Sequence, residues 1–211
     1  MRDPILANEF ETKKSPKAAP NKFAQDIYVM LHDLVYILAA VTVLFTLLIR
    51  LVTVSGPSMT STLLDRDYVA VLSNVLYRDV KNGDVVVAKV PGFEDEPIVK
   101  RVIATQGQTV DITYDATGVG TVIVDGQALK EPYINEPMLE PGYATVSFPL
   151  TVPEGCVFVM GDNRNHSADS RYTQIGVFNT KYILGKVLLV VWPGRENTWQ
   201  KRDFSRLGAV S

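Results

Sequence analysis

From Leu34 to Ile49 every residue is uncharged and nearly all are apolar; Arg50 interrupts the run, and Leu51 to Val54 resume it. A bilayer-spanning helix needs about 20 such residues, a length reached here if Arg50 snorkels to the interface. The run is apolar all round rather than along one stripe, which sets it apart from a surface helix of a soluble domain. A cleaved signal peptide fits poorly, because the segment ahead is long for an n-region and no A-x-A-like site follows. Arg2, Lys13, Lys14, Lys17 and Lys22 precede the span, and after Arg50 the next basic residue is Arg66. This bias predicts a single-pass anchor in the cell membrane over residues 30–53, with the N-terminus cytoplasmic and the remainder extracytoplasmic. Residues 1–29, rich in Lys, Pro, Ala, Asn and Glu, read as a disordered cytoplasmic tail.

A length of 211 residues suits one main domain plus an appendage. The formal charge of -2 carries no basic excess of the kind nucleic-acid binders show, so no nucleic-acid partner is expected. Short valine-rich runs between Gly, Pro, Asp and Asn predict a mainly antiparallel β domain over 54–197. A buried final strand is expected over Val187–Trp192, and a peripheral polar tail over 198–211. The single cysteine, Cys156, excludes an intramolecular disulfide and falls in an apparent core strand, Glu154–Met160, where a free thiol packs as a small hydrophobe. No Cys/His cluster has metal-ligand spacing, and no cofactor is expected.

Three segments carry chemistry. In Val54-Ser55-Gly56-Pro57-Ser58-Met59-Thr60-Ser61-Thr62-Leu63, the Gly56-Pro57 turn presents Ser58, and an exposed turn supplies a nucleophile's needs: a free hydroxyl and nearby backbone N–H groups. In Ile98-Val99-Lys100-Arg101-Val102, a strand reading puts Ile98, Lys100 and Val102 on one face, with Val99, Arg101 and Ile103 on the other. Both faces are apolar enough to be covered. A lysine there either reaches solvent past its stem or loses its proton and becomes a general base. The third segment, Met160 to Arg171, is dense in side chains that bond to local backbone. Counted from Asp162, it puts Arg164 and Ser167 where a calcium loop needs an oxygen ligand and glycine, so that pattern fails. Ser58 could take either His166 or Lys100 as its base, since triads and Ser-Lys pairs are both known solutions.

These segments, in this order behind an anchor, resemble the nucleophile, lysine and C-terminal boxes of bacterial type I signal peptidases, and the single anchor and short length resemble the compact form found in Gram-positive bacteria. Asp67–Val71, Gly83–Val87 and Val122–Tyr133 resemble its intermediate strands and its second lobe. The resemblance implies a signal-peptidase-like antiparallel β catalytic core with an inserted β lobe at about 108–150, preceded by one transmembrane helix. It implies a membrane-anchored serine endopeptidase that removes signal peptides through a Ser58/Lys100 dyad, with Ser167, Asp169 and Arg171 in support. Its substrates would be secretory preproteins with Ala-x-Ala cleavage sites, met at the lipid bilayer. By position, Val54, Met59, Leu63, Ile98 and Val99 would line pockets for the small substrate side chains; core packing is the alternative for each. Ser61 stands where the family usually has proline, and Asn165-His166 where Asp-Asn is common. The competing function is an inactive anchored homologue that binds preproteins or assembly partners without cutting.

Overall fold

The structure, a computed structural model, describes residues 21–93, 96–141, 145–195, 199 and 201–210. It divides into two compact units, Met1–Thr42 and Val43–Ser211. Of the tail expected over 1–29, residues 1–20 lie outside the described residues, and Lys22 onward is helical. The helix, α1 (Lys22–Leu47), has 26 residues and is long and apolar enough to cross a membrane. It stops short of the anchor end expected at residue 53. Ile49–Thr53 is a strand instead, paired with Tyr68–Ser73, so Arg50 belongs to a sheet rather than to a helix end. The β-branched Ile49, Val52 and Thr53 favour the extended backbone once a partner strand is available.

The rest of the described chain is mainly β. Its strands are β1 (Ile49–Thr53), β2 (Tyr68–Ser73), β3 (Val85–Ala88), β4 (Ile98–Thr105), β5 (Thr109–Tyr114), β6 (Gly120–Val124), β7 (Gln127–Ala128), β8 (Leu150–Thr151), β9 (Cys156–Met160), β10 (Phe178–Asn179), β11 (Ile183–Trp192) and β12 (Gly208–Ala209). One antiparallel sheet runs β1-β2-β11-β3-β4-β9-β10, with β12 added to β11; a second runs β7-β6-β5-β8. The second sheet is contained in Thr109–Thr151.

Strand β4 is central, flanked by β3 and β9, and is buried along nearly its whole length. Covered on both faces, it tolerates a run of apolar residues without polar alternation. Val99 joins one core cluster with Val54, Met59, Leu63 and Val87, while Val102 joins another with Val86 and Val159. Between Val102 and Ala104 the register against β9 shifts, and Ile103 and Ala104 both enter a third cluster with Val110 and Phe158. Cys156, half-buried and free, packs against that same cluster.

Near the C-terminus two segments differ from the expectation. Strand β11 is buried on one face only toward its end: Val187 and Val190 are interior, whereas Leu189, Val191 and Trp192 are exposed. The described part of the 198–211 tail is docked rather than peripheral, because Gly208 and Ala209 pair with Val190 and Leu189.

Candidate active site

Ser58 sits in a closed loop between β1 and β2. The loop's neck is tied by Val54 N–H donating to the Asp67 carbonyl and Arg66 N–H donating to the Val54 carbonyl, both at 2.8 Å. Gly56 takes φ +85, a left-handed turn that glycine adopts without steric penalty. Its N–H donates to the Asp65 carboxylate at 3.0 Å and is therefore engaged. Met59 and Leu63 point into the core and anchor the loop. No described residue accepts a hydrogen bond from the Ser58 N–H.

Lys100 comes from β4 and is 5% exposed. Its Nζ donates to Ser58 Oγ at 2.8 Å and to the Val99 carbonyl at 3.0 Å. Both residues open on a cleft of about 410 Å³ that is also lined by Val52, Val87, Phe93, Ile98, Val99 and Ala168. Burial disfavours an ammonium, and a hydroxyl in hydrogen-bond contact is the group a neutral amine would deprotonate. His166 is exposed on a single 3₁₀ turn.

The segment after β9 is held by buried ion pairs. Arg171 bonds both oxygens of Asp169, at 2.8 and 2.9 Å, and donates to the Arg164 carbonyl at 2.6 Å. Burial works against the Arg171 charge, but the Asp169 carboxylate outweighs it and raises the guanidinium's pKa. Asp169 also accepts the Gly161 N–H at 3.0 Å. These bonds bend the chain so that Asn163 faces the Ser58 loop. Its N–H donates to the Ser58 carbonyl and its side-chain amide to the Pro57 carbonyl, both at 3.1 Å. Gly161 allows the close approach, because a Cβ there would lie 2.4 Å from the Ser58 carbonyl and 2.3 Å from Ser167 Oγ.

Ser167, expected in support of Ser58 and Lys100, lies beside Gly161. Its hydroxyl is buried with no hydrogen-bond partner among the described residues, while the Lys100 amine donates to Ser58 and Val99. Of the five expected pocket residues, Ile98 and Val99 line the cleft. Val54, Met59 and Leu63 are 2%, 1% and 0% exposed and form the core beneath it. Apolar side chains on a short loop bury themselves first, and here the core takes them.

Sequence reasoning missed a second set of residues. Arg101 forms a bidentate pair with Asp162, at 2.8 and 2.7 Å, in which the two side chains are 2% and 0% exposed. Arg101 also lies over the Tyr133 ring at 4.0 Å, and Arg164 pairs with Glu131. Burial, then the Glu131 carboxylate, pushes the Tyr133 hydroxyl pKa up. Thr62 donates its hydroxyl to Asp162, so the Ser58 loop is bonded to β4 through one carboxylate. The available signal was Arg101 itself: an arginine inside an apolar strand needs a carboxylate partner.

Residues 27–192 match the family model described as signal peptidase, peptidase S26. The chain belongs to this family. It is 41% identical over 135 residues to a protein named signal peptidase I from Mycobacterium tuberculosis (strain ATCC 25618 / H37Rv), a match covering 57% of this chain and 44% of that one. It is 38% identical over 149 residues to signal peptidase I of Bacillus amyloliquefaciens, covering 68% of this chain and 76% of the relative. The chain thus spans less than half of the mycobacterial relative and about three quarters of the Bacillus one. A crystal structure of a signal peptidase I from Enterococcus faecalis V583 matches at 29% identity with a TM-score of 0.39, covering 52% of this chain and 97% of that one.

Proposed function

We propose that this chain is a membrane-anchored serine endopeptidase that removes signal peptides from secreted preproteins with a Ser58/Lys100 dyad. The observation that carries the reading is the 2.8 Å contact between Lys100 Nζ and Ser58 Oγ at a cleft, in a chain of the signal peptidase family. Lys100 in its neutral form takes the Ser58 proton as Oγ adds to the scissile carbonyl, forming a tetrahedral oxyanion. The Ser58 N–H is available to donate to that oxyanion. As the intermediate collapses, the C–N bond breaks and Lys100 returns the proton to the leaving amine. An acyl ester on Ser58 remains. Water, deprotonated by the same amine, then releases the acid and restores the hydroxyl.

Asp169 and Arg171 hold the loop that presents Asn163 to the Pro57 and Ser58 carbonyls. Ser167 keeps a supporting role: its buried hydroxyl packs beside Gly161, where the segment after β9 meets the Ser58 carbonyl. Ile98 and Val99 give the cleft an apolar wall, which suits small residues such as the alanines of an Ala-x-Ala site and excludes large ones sterically. Helix α1 is the anchor, and the positive bias before it puts the N-terminus in the cytoplasm and the catalytic domain outside, at the bilayer where signal peptides arrive.

The test is cleavage of a preprotein carrying an Ala-x-Ala site by the full chain in detergent, beside Ser58→Ala, Lys100→Ala and His166→Ala. Loss of cutting in the first two with His166→Ala active is the expected result. Loss in His166→Ala with Lys100→Ala active would overturn the dyad. A folded wild type that binds preprotein without cutting would favour the inactive homologue.

A further inference from the structure

The loop that carries Ser58 is gripped from the far end of the chain. Asp203 begins a 3₁₀ turn over Phe204–Arg206, its carboxylate accepting the Ser205 N–H, and β12 then docks on β11. This turns Arg206 inward, its side chain 18% exposed. Its Nη1 and Nη2 donate to the two oxygens of Asp67 at 2.9 and 2.7 Å, and Nη2 reaches the Thr62 carbonyl at 3.3 Å.

Asp67 is fully buried and is the hub of the loop's neck. Its carboxylate also accepts the Leu64 N–H at 2.8 Å and the Gly194 N–H. Gly194 is there because nothing larger fits: a Cβ would stand 2.0 Å from the Asp65 carbonyl. Thr62, whose carbonyl Arg206 holds, turns its hydroxyl to Asp162, and Asp162 pairs with Arg101 beside Lys100. An unbroken series of bonds therefore runs from the tail, through the nucleophile loop, to the strand of the proposed base. A cavity of about 640 Å³ lies beside this clamp, walled by Arg101, Tyr133, Arg206 and Val210 among others; Asp162 and Asp67 engage its two guanidiniums.

We infer that Arg206 is a positioning residue: by fixing Asp67 and Thr62 it holds the Val54–Asp67 loop in the register that puts Ser58 Oγ on Lys100 Nζ. The inference rests on the Ser58/Lys100 reading. Arginine is required because its planar fork meets both carboxylate oxygens at once, which lysine cannot do.

The experiment compares full-length wild type with Arg206→Met and Arg206→Lys in detergent. A double variant, Arg206→Met with Asp67→Asn, removes the buried charge in case the single one does not fold. Two readouts are taken below the melting onset of every variant: kcat and KM on a preprotein, and amide exchange at Leu64 and Gly194. Expected for Arg206→Met, or for the double variant in its place, is a kcat roughly 10- to 100-fold lower with KM within twofold, the loss that misplacing a reacting group by up to about 1 Å produces. Arg206→Lys should fall between that variant and wild type, and exchange at both amides should quicken. A folded variant lacking the arginine with kcat within twofold of wild type, or with unchanged exchange, would overturn the inference. If wild type itself cuts nothing, the dyad reading fails, and exchange alone decides whether Arg206 holds the loop.

Discussion

Replacing Gly161 by alanine adds one methyl group at the point where the two proposed catalytic segments touch. Gly161 has no left-handed φ, so alanine suits its backbone and the effect is purely steric. The new Cβ would stand 2.4 Å from the Ser58 carbonyl and 2.5 Å from Ser167 Cβ, whereas ordinary contact begins at 3.4 Å. Relief takes about 1 Å of movement between the nucleophile's backbone and the loop after β9. Both sides are pinned, the Ser58 carbonyl by Asn163 N–H and Gly161 N–H by Asp169. A misplacement of about 1 Å near a reacting group lowers turnover by about 100-fold, or about 2.7 kcal/mol. Overpacking lowers stability by about 1–3 kcal/mol, and in a chain of this size that lowers Tm by roughly 2–12 °C. The assay is preprotein cleavage under single-turnover conditions, beside a thermal melt of the same sample. A Gly161→Ala protein that cuts within threefold of wild type would refute the argument that this contact sets the serine's position.

Two further outcomes follow from the buried charges. Asp162→Ala strands Arg101 in the interior, and urea unfolding should register a loss of about 3–5 kcal/mol; replacing both partners by apolar residues should lose less, and a single-variant loss below about 1 kcal/mol would contradict the pairing. Burial alone would raise the Asp84 pKa, but hydrogen bonds from Lys186, Tyr77 and the Lys81 N–H outweigh it and lower it. A depressed carboxyl stabilises the fold above its unfolded value of about 3.9, and the contribution is lost as pH falls through the folded value. The melting gap between wild type and Asp84→Asn should therefore be widest near neutrality and close on acidification below about pH 4; a gap constant with pH would contradict this.

Ser58 and Lys100 were legible because each is locally odd: a serine on a Gly-Pro turn, and a lysine in a strand apolar on both faces. The structure brings these two side chains, 42 residues apart, into contact. Arg101 was equally odd, yet its partner Asp162 lies 61 residues away in a segment that reads as an ordinary polar turn. Asp67 and Arg206 are 139 residues apart, and nothing local in either points to the other. Val54, Met59 and Leu63 show a different limit. Residue type separates apolar from polar, but the wall of a cleft and the core behind it are both apolar, and only packing distinguishes them. The end of α1 was misplaced for a similar reason: Leu51–Val54 extends an apolar run equally well as helix or strand, and pairing with β2 decides it.

In the proposed mechanism the Ser58 hydroxyl attacks and Lys100 is its base. The most direct measurement is acid-quenched peptide mapping after mixing the full chain with an ester analogue of an Ala-x-Ala cleavage site, whose better leaving group lets the acyl enzyme accumulate. The acyl mass should appear on Ser58 in wild type and be absent from Lys100→Ala at the same time point. An acyl group on any other residue, or equal labelling of Ser58 when Lys100 is gone, would contradict the dyad.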